Sequence, residues 1–316
     1  MRNIYSNLIN FSSKNLSIIL NILKNNGIIG LPTETVYGLA GNAYSNISVK
    51  KIYKLKKRPK KNPLIIHYYN ARQAEKDVEL NEKFFKIYKR FSPGPITYIV
   101  KRKRGSKISS IACANLKTVG IRFPKNKIIR IILKKLKFPL AMPSANKSSS
   151  ISPVSPSDVS DEFKNKIKIV NGGFSSIGLE STVLNLIGRI LILRPGKITK
   201  KQISTLINEK VNFSFKQKTI RSPGLLKKHY SPNIPMFLNQ KKCPESYAFI
   251  TFGKKYPVTR NTFNLSKKSN LNEAAKNLYK FFRKIKKKGF KKIYVVKIPN
   301  VGIGQAINDR LRHAAK

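Results

Sequence analysis

Short apolar segments along the chain alternate between strand-like and helix-like patterns, and this alternation limits the possible folds most strongly. Ile28–Leu31 and Ile96–Val100 are compact apolar runs, whereas Leu16–Leu23 and Lys125–Leu136 repeat apolar residues at helical spacing. Strands that alternate with helices favour a sheet with helices packed against it. The sequence therefore predicts an α/β fold.

Two local signals place individual elements in the first two-thirds of the chain. Ser181–Leu186 and Ile190–Leu193 have the pattern of strands and are joined through a short segment with a glycine, which predicts a β-hairpin. Thr199, followed three residues later by Gln202, forms a capping box and predicts a helix that continues through Ile207.

The pattern changes after residue 207. A polar, poorly periodic stretch and a segment rich in proline and glycine follow, which is typical of a linker. Strands and helices then resume, in the order Tyr247–Thr251 (strand), Leu271–Lys288 (helix), Lys292–Ile298 (strand) and Gln305–Ala314 (helix). We therefore expect a large domain at 8–207, a linker at 208–236 and a small domain at 237–316.

The chain is extremely basic, with 65 Lys and Arg against 13 Asp and Glu and a formal net charge of +52. Such an excess indicates a polyanionic partner such as RNA. The alternative is compositional drift towards the Lys, Ile and Asn codons of AT-rich genes. Because basic runs occur throughout the chain, drift accounts for the larger part. The scarcity of acids leaves contact with RNA open.

Features of membrane and disulfide-bonded proteins are absent from the sequence. No uninterrupted apolar stretch approaches the roughly 20 residues that a membrane span needs, and residues 1–11 lack the apolar core of a secretory signal. Cys113 and Cys243 stand far apart without a CxxC partner, so no disulfide framework is expected. We expect a protein of the reducing cytoplasm.

Common nucleotide and metal motifs are also absent. The sequence has no GxxxxGK[ST] phosphate loop, and the GIG at 302–304 lacks the third glycine of a dinucleotide fingerprint. Its three histidines and two cysteines are scattered, so no zinc or other protein-bound metal site is predicted. An enzyme with this sequence that acts on phosphates needs another kind of phosphate-binding loop.

Polar and cationic side chains follow several predicted strands. PTETVYGL at 32–39 and PSAN at 143–146 each come directly after a strand, as ligand loops do in α/β sheets. Arg122 lies in an apolar segment, where arginine is rarely found without an anionic partner. Only Glu34 and Glu180 add carboxylates to these segments. The set therefore favours anion binding over hydrolysis by paired carboxylates.

Lys56 and Arg58 form a further cationic feature. Pro59 disfavours helical geometry for the residue before it, which predicts an extended segment with both cations on the same side. Lysine offers a point charge and arginine a planar fork, so the pair suits phosphate oxygens. In a chain this basic, the K-x-R spacing alone has little specificity.

Taken in order, the motifs PTETVYGL, KxRPxxNPL, PGPxT, TVGIRxP, SAN, GLEST and LRPG resemble the YrdC/Sua5 family of threonylcarbamoyl-AMP synthases over roughly residues 10–205. SPGLLKKHYSP at 222–232 is similar to that family's interdomain linker, and GIGQAINDRL at 302–311 to the end of its additional Sua5 domain. The resemblance implies the long, two-domain form. The implied fold is an open, twisted mixed sheet with a cationic concave face and a small Rossmann-like C-terminal domain.

The resemblance also implies site residues. The positions that match threonine-binding residues are Thr35, His67 and Ser181. Those that match residues around ATP are Arg58, Asn62, Thr118, Arg122, Ser144, Ser152, Arg194 and Tyr230. The KxR…SxN set, expected to be catalytic, is Lys56, Arg58, Ser144 and Asn146. Tyr230 further implies that the linker folds over the nucleotide as a lid.

The implied reaction joins L-threonine, bicarbonate or CO2, and ATP into threonylcarbamoyl-AMP and pyrophosphate, for threonylcarbamoyladenosine formation on tRNA. ATP would enter with Mg²⁺, and a Kae1/TsaD-type transferase would receive the product. One alternative is a non-catalytic, basic RNA-binding protein of the same fold. Another is a paralogue that binds nucleotide without making the adenylate.

For several residues, a structural role is the simpler interpretation from the residue type alone. Glu34 and Glu180 are expected to hold loops by hydrogen bonding rather than to act as bases. Tyr230 is suited to pack the linker against the first domain, and His67 alone would most simply be a structural histidine. Cys113 is expected to fill space in the core, as is Cys243.

Overall fold

The computed structural model describes residues 7–214 and 230–315, whose strands form two sheets. The strands of the larger sheet are β1 (Leu8–Asn10), β2 (Ile28–Leu31), β3 (Gly38–Asn42), β4 (Ile65–His67), β5 (Ile96–Lys101), β6 (Thr118–Arg122), β7 (Leu140–Ala141), β8 (Ile169–Asn171), β9 (Thr182–Asn185), β10 (Leu191–Arg194) and β11 (Asn212–Phe213). Their spatial order is β1-β8-β2-β3-β7-β4-β6-β5-β9-β10-β11, with parallel and antiparallel pairs mixed. The predicted open, mixed α/β sheet is confirmed.

Helices cover both faces of this sheet. They are α1 (Ser13–Lys24), α2 (Asn46–Lys56), α3 (Ala71–Ala74), α4 (Glu82–Phe91), α5 (Lys127–Lys135), α6 (Pro156–Phe163) and α7 (Lys200–Ile207). Residues of α2, α3, α4, α6 and α7 form the first core with the sheet, and residues of α1 and α5 form the second. Because neighbouring residues of a strand face opposite sides, Leu39 joins the first core and Ala40 the second.

A smaller sheet follows in the C-terminal part of the chain. Its strands are β12 (Met236–Phe237), β13 (Ala248–Thr251), β14 (Thr262–Asn264) and β15 (Ile293–Val295), in the order β12-β15-β13-β14, and every pair is parallel. The helices α8 (Leu271–Lys287) and α9 (Gly304–Ala314) belong to this smaller unit and contribute residues to its core. A small parallel α/β unit is the architecture that the sequence predicted.

The two units share a continuous apolar contact. Val36, Ile177 and Leu179, from loops of the large unit, belong to the same buried cluster as Leu278 of α8. Gly178 makes this approach possible, since a Cβ atom there would lie 2.6 Å from the Cα atom of Lys276. The loop that follows β8 is therefore held directly against α8.

Local predictions from turn and cap residues are confirmed. Strands β9 and β10 pair antiparallel, as expected for the hairpin. Thr199 accepts a hydrogen bond from the backbone N–H of Gln202, and the Gln202 side chain accepts one from the backbone N–H of Thr199, so α7 begins with the predicted capping box.

The prediction of an extended segment at Lys56 and Arg58 was wrong. Helix α2 continues through Lys56, and Lys57 ends it in the left-handed conformation with a φ of 49°. Pro59 restricts only Arg58, the residue directly before it, and leaves the helix intact up to Lys56. The Lys56 side chain therefore extends from the last residue of α2, and the Arg58 side chain extends from the loop that follows.

Within residues 7–214 and 230–315, no helix is long and apolar enough to cross a membrane.

Gly178 provides a stability prediction for the contact between the units. Its φ of +79° is strained for any other residue, and a Cβ atom would also clash with α8. We expect Gly178→Ala to lower the free energy of unfolding by roughly 1–3 kcal/mol beyond the strain of positive φ alone. Gly188→Ala is the matched control, since its φ is +64° but no other atoms lie within 4 Å. Equal losses in urea titrations of both variants would contradict the close contact.

Candidate active site

A cleft of about 530 Å³ opens beside the second core of the large sheet. Met142 belongs both to that core and to the cleft wall, so the cleft lies on the face that α1 and α5 cover only in part. Its lining residues are Thr33, Val36, Tyr37, Gly38, Arg58, Ile65, His67, Arg122, Met142, Pro143, Ser144, Glu180, Ser181 and Arg194. The fold thus brings six of the predicted site residues together: Arg58, His67, Arg122, Ser144, Ser181 and Arg194.

The alternation of the central strands places two of these residues. Ile66 of β4 and Ile121 of β6 face the first core, whereas the following residues, His67 and Arg122, line the cleft. His67 and Arg122 are also register partners across the parallel pair. The side chains of His67 and Arg122 are therefore adjacent polar groups on the part of this sheet face that forms the cleft.

Arg122 is tied to a buried carboxylate. Its Nη2 donates to Glu34 Oε1 at 2.7 Å, and Glu34 Oε2 accepts from the backbone N–H of Lys125 at 3.0 Å. The Nε atom of Arg122 is buried and has no hydrogen-bond partner in the described part of the chain. The sequence expectation of an anionic partner for Arg122 and of a loop-holding role for Glu34 is confirmed.

His67 is neutral in this environment. Burial, followed by the nearby charge of Arg122, lowers the pKa of His67 well below its ordinary value. Its Nδ1 lies 3.2 Å from the carbonyl oxygen of Ile65, an acceptor, so Nδ1 donates there. The side chain can take part in hydrogen bonding within the cleft without adding charge.

Ser181 is held from two sides at the start of β9. Its Oγ lies 2.7 Å from the Oγ1 of Thr97, and Arg194 Nη2 donates to the same Oγ at 3.2 Å. Arg194 also donates from Nη2 and Nε to the Ser181 carbonyl oxygen at 3.0 and 3.1 Å. Ser181 and Arg194, predicted to contact different substrates, thus form one hydrogen-bonded unit.

Arg58 is oriented by the segment that follows it. Its Nε donates to the Asn62 carbonyl oxygen at 2.9 Å, and its Nη2 donates to Asn62 Oδ1 and to the Pro63 carbonyl oxygen at 2.7 and 2.8 Å. Burial lowers the pKa of Arg58 to about 10, and Arg194 acts in the same direction. Arg58 therefore stays protonated at neutral pH, and Asn62 orients it rather than lining the cleft.

Lys56 and Asn146 lie behind the cleft wall. The Lys56 Nζ donates to the carbonyl oxygens of Ser144, at 2.6 Å, and of Asn146. Asn146 Nδ2 donates to the carbonyl oxygens of Lys147 and Ser150, both at 2.8 Å. Burial and the charge of Arg58 lower the pKa of Lys56 well below its ordinary value. Of the predicted catalytic set, only Arg58 and Ser144 line the cleft, while the other two brace the Ser144 loop.

Glu180 joins the cleft to the small unit. It accepts hydrogen bonds from Ser152 Oγ at 2.5 Å, from the Tyr279 hydroxyl at 3.0 Å and from Arg310 Nε at 2.8 Å. Burial alone would raise the pKa of Glu180, but Arg310 and Arg194 hold it at about 2. The loop-holding role predicted for Glu180 is confirmed, and Ser152 acts on this carboxylate.

The other predicted site residues lie outside the cleft lining. Thr35 is buried one step behind it, with its Oγ1 at 2.8 Å from Thr33 Oγ1. Thr118 is at the opposite end of β6 from Arg122. Tyr230 is fully buried, stacked on Tyr279 at 6.0 Å. The preceding part of the predicted lid, residues 215–229, lies outside the described residues.

No role was predicted from the sequence for Thr33, which lines the cleft, or for three residues that hold cleft residues in place. Thr97 belongs to the PGPxT motif, which was noted without a role. Arg310 belongs to the GIGQAINDRL motif, which was likewise noted without a role, and Tyr279 lies in α8; neither pattern indicates a pairing with Glu180. Among residues 7–214 and 230–315, no group of three His, Cys, Asp or Glu is placed to hold a metal ion.

Comparisons with known proteins cover most of the chain. A family model described as "Telomere recombination" (Sua5/YciO/YrdC) matches residues 21–196, and one described as "Threonylcarbamoyl-AMP synthase, C-terminal domain" matches residues 198–316. A threonylcarbamoyl-AMP synthase from Bacillus subtilis is 34% identical, covering 93% of this chain and 91% of its own length. One from Pyrococcus abyssi is 32% identical, covering 95% and 94%. The crystal structure of P. abyssi Sua5 complexed with L-threonine is similar with a TM-score of 0.90 at 29% identity, covering 98% of this chain and 97% of that one.

The low pKa of Glu180 predicts acid sensitivity. A carboxylate whose pKa falls from 4.5 to about 2 on folding contributes stability above pH 4.5 and loses it as the pH falls towards 2. We expect Glu180→Gln to lose roughly 3 kcal/mol at neutral pH and to show a flatter decline between pH 4.5 and 2.

Urea titrations at pH 7, 4 and 3 test this expectation. Glu209→Gln is the control, since Glu209 forms only an exposed ion pair with Lys83, and such pairs contribute little. Parallel pH curves for wild type and Glu180→Gln would contradict the assignment.

Proposed function

This chain belongs to the Sua5/YciO/YrdC family, and from that premise we propose that it is an L-threonylcarbamoyladenylate synthase. The observation that carries the proposal is a single cleft in which Arg58, Arg122 and Arg194 meet His67 and Ser181. Arg58 and Arg194, which have only neutral oxygen partners at hydrogen-bond distance in the described part of the chain, suit a triphosphate, and the small polar groups beside them suit a small amino acid. Both units of the chain match threonylcarbamoyl-AMP synthases, which makes a nucleotidyltransferase the consistent assignment.

The proposed reaction has two bond-forming steps. The amine of threonine attacks CO2 derived from bicarbonate, which gives a carbamate and releases a proton. A carbamate oxygen then attacks the α-phosphorus of ATP, and the bond to the β-phosphate oxygen breaks. Pyrophosphate leaves and threonylcarbamoyl-AMP remains. The protein accelerates both steps chiefly by positioning the reactants and neutralising charge.

We propose that threonine binds at the end of the cleft formed by His67 and Ser181, with Thr35 directly behind. Because His67 is neutral, it can lie beside the uncharged threonine side chain and does not attract the threonine carboxylate as a cation would. Arg122, the register partner of His67, is proposed to lie where threonine meets the phosphates. The buried Nε of Arg122, which has no partner within the described residues, is suited to a ligand oxygen.

The phosphates of ATP are proposed to lie near Arg58, Ser144 and Arg194. Lys56 and Asn146 act indirectly, because they hold the Ser144 loop, and Asn62 acts through Arg58. Thr118, Ser152 and Tyr230 remain proposed ATP residues on the resemblance alone. ATP enters as its Mg²⁺ complex, in which the metal neutralises phosphate oxygens; it is a part of the substrate, and no protein ligand is assigned to it.

The product determines the proposed partner. Threonylcarbamoyl-AMP is a mixed anhydride and hydrolyses readily, so an acceptor must collect it soon after release. We propose a Kae1/TsaD-type transferase that moves the threonylcarbamoyl group to an adenosine of tRNA. Action in the cytoplasm, where tRNA is modified, is part of the same proposal.

Direct RNA contact is the second candidate function, and the net charge of +52 favours it. A protein that only binds RNA would show salt-sensitive binding but no release of pyrophosphate from ATP. The discriminating assay mixes the protein with ATP, Mg²⁺, bicarbonate and threonine. We expect pyrophosphate that disappears when threonine is omitted. Threonine-independent or absent release would reject the synthase assignment.

Arg58→Lys tests the arginine cluster. Lysine keeps the charge but loses the fork that bonds Asn62 and Pro63, so the cation is no longer oriented. We expect pyrophosphate release to fall by roughly 100-fold, with little loss of thermal stability. Lys60→Ala, an exposed change in the same loop, should keep wild-type activity. Near-normal turnover of Arg58→Lys would refute the role of Arg58.

A further inference from the structure

Arg310 is a fully buried arginine that the small unit inserts against the large one. It lies in α9 and is 0% exposed. Its Nε donates to Glu180 Oε2 at 2.8 Å, its Nη1 to Asp309 Oδ2 at 2.5 Å and its Nη2 to the Pro195 carbonyl oxygen at 3.1 Å. The guanidinium also lies 4.8 Å from the centre of the Tyr230 ring. Each nitrogen of the fork therefore has a partner, and two of the partners belong to the large unit.

Both of those partners are direct chain neighbours of cleft residues. Glu180 immediately precedes Ser181, and Pro195 immediately follows Arg194. Ser181 and Arg194 are themselves joined by the hydrogen bonds from the arginine to the Ser181 carbonyl and hydroxyl oxygens. Arg310 thus bridges two separate loops at the points where they enter the cleft.

The Glu180 carboxylate has no other cationic partner at hydrogen-bond distance among the described residues. Its remaining donors are the hydroxyls of Ser152 and Tyr279. A buried carboxylate that loses its arginine must move, take up a proton or draw in another cation. An alternative cation is Arg194, whose charge already acts on Glu180 and whose Ser181 partner is the next residue in the chain. Without Arg310, Glu180 would pull Arg194 away from Ser181.

We infer that Arg310 of the small unit is a positioning residue for the threonine end of the cleft. It sets Ser181 and Arg194 by holding Glu180 and Pro195 in place. This inference rests on the proposed function, because it assigns threonine to the Ser181 end. It gives the C-terminal unit a defined part in the reaction: the unit completes the wall of the cleft from behind, without itself contributing a residue to the lining.

The test measures threonine affinity separately from turnover. Arg310→Met keeps much of the side-chain volume and removes the charge and the fork. We expect the KM for threonine to rise about ten-fold, since Ser181 and Arg194 lose their fixed spacing, with kcat changed by less than three-fold. Arg310→Lys, which keeps a charge for Glu180 but cannot bond Pro195 at the same time, should fall between wild type and Arg310→Met.

Arg283→Met is the matched control. Arg283 is another arginine of the small unit that bonds the large one, through the Ile151 carbonyl oxygen at 2.6 Å and Asp158 at 3.6 Å. It contacts neither Glu180 nor Pro195 directly; its link to Glu180 is indirect, through the Ile151 carbonyl beside Ser152, whose hydroxyl donates to Glu180. We expect Arg283→Met to lower the melting temperature while the KM for threonine stays within two-fold of wild type. A similar KM for the two variants would overturn the inference, because both would then act only on the contact between units.

Tyr279→Phe provides an independent variant if Arg310→Met does not fold. It removes one hydroxyl bond to Glu180 and retains the ring in the shared core. Because Arg310 and Ser152 still hold Glu180 in this variant, we expect the KM for threonine to stay within two-fold of wild type, whereas Arg310→Lys should raise it; an unchanged KM in Arg310→Lys would overturn the inference. Threonine binding to the wild-type protein, followed by calorimetry, separates the two proposals: a wild type that neither binds threonine nor releases pyrophosphate refutes the function itself.

Discussion

The burial of arginine in a chain with few acids is the constraint on which the site depends. Only 13 carboxylate residues accompany 65 Lys and Arg, yet Glu34 and Glu180 lie buried beside Arg122 and Arg310. An arginine without a partner in the interior would carry a large desolvation penalty. Glu34 offsets that penalty for Arg122, and Glu180 offsets it for Arg310. Arg58 and Arg194 instead donate to neutral oxygen atoms. The cleft consequently has an excess of positive charge, which suits an anionic substrate.

The cleft arises because one sheet face is covered unevenly. Helices α1 and α5 cover only part of the second face, and the strands beyond them carry polar residues where apolar ones would otherwise be buried. The small unit packs against the loop before β9, and Gly178 allows this close approach. The uncovered part of this sheet face is therefore a polar cleft, and the small unit holds the loops behind it in place.

Part of the candidate site could be predicted from sequence because its residues lie in short motifs at strand ends. His67, Arg122, Ser144 and Ser181 meet in the cleft because the loops and strand ends that carry them reach the same face. Lys56 differs, although it belongs to an equally clear motif. Lys56 is the last residue of helix α2, and its ammonium group donates to carbonyl oxygens of the Ser144 loop. A motif identifies residues that act together but does not say which of them face the ligand.

The sequence by itself determined the α/β class, the β9–β10 hairpin, the capping box of α7 and the family, because each depends on neighbouring residues or on motif order. Tertiary structure alone decided which charges meet. Arg310 reaches Glu180 across 130 positions of sequence, a pairing set by how two sheets pack rather than by local pattern. Long-range contacts of this kind cost chain entropy that no local segment offsets. They form only once both cores exist, and the geometry of the cleft follows from them.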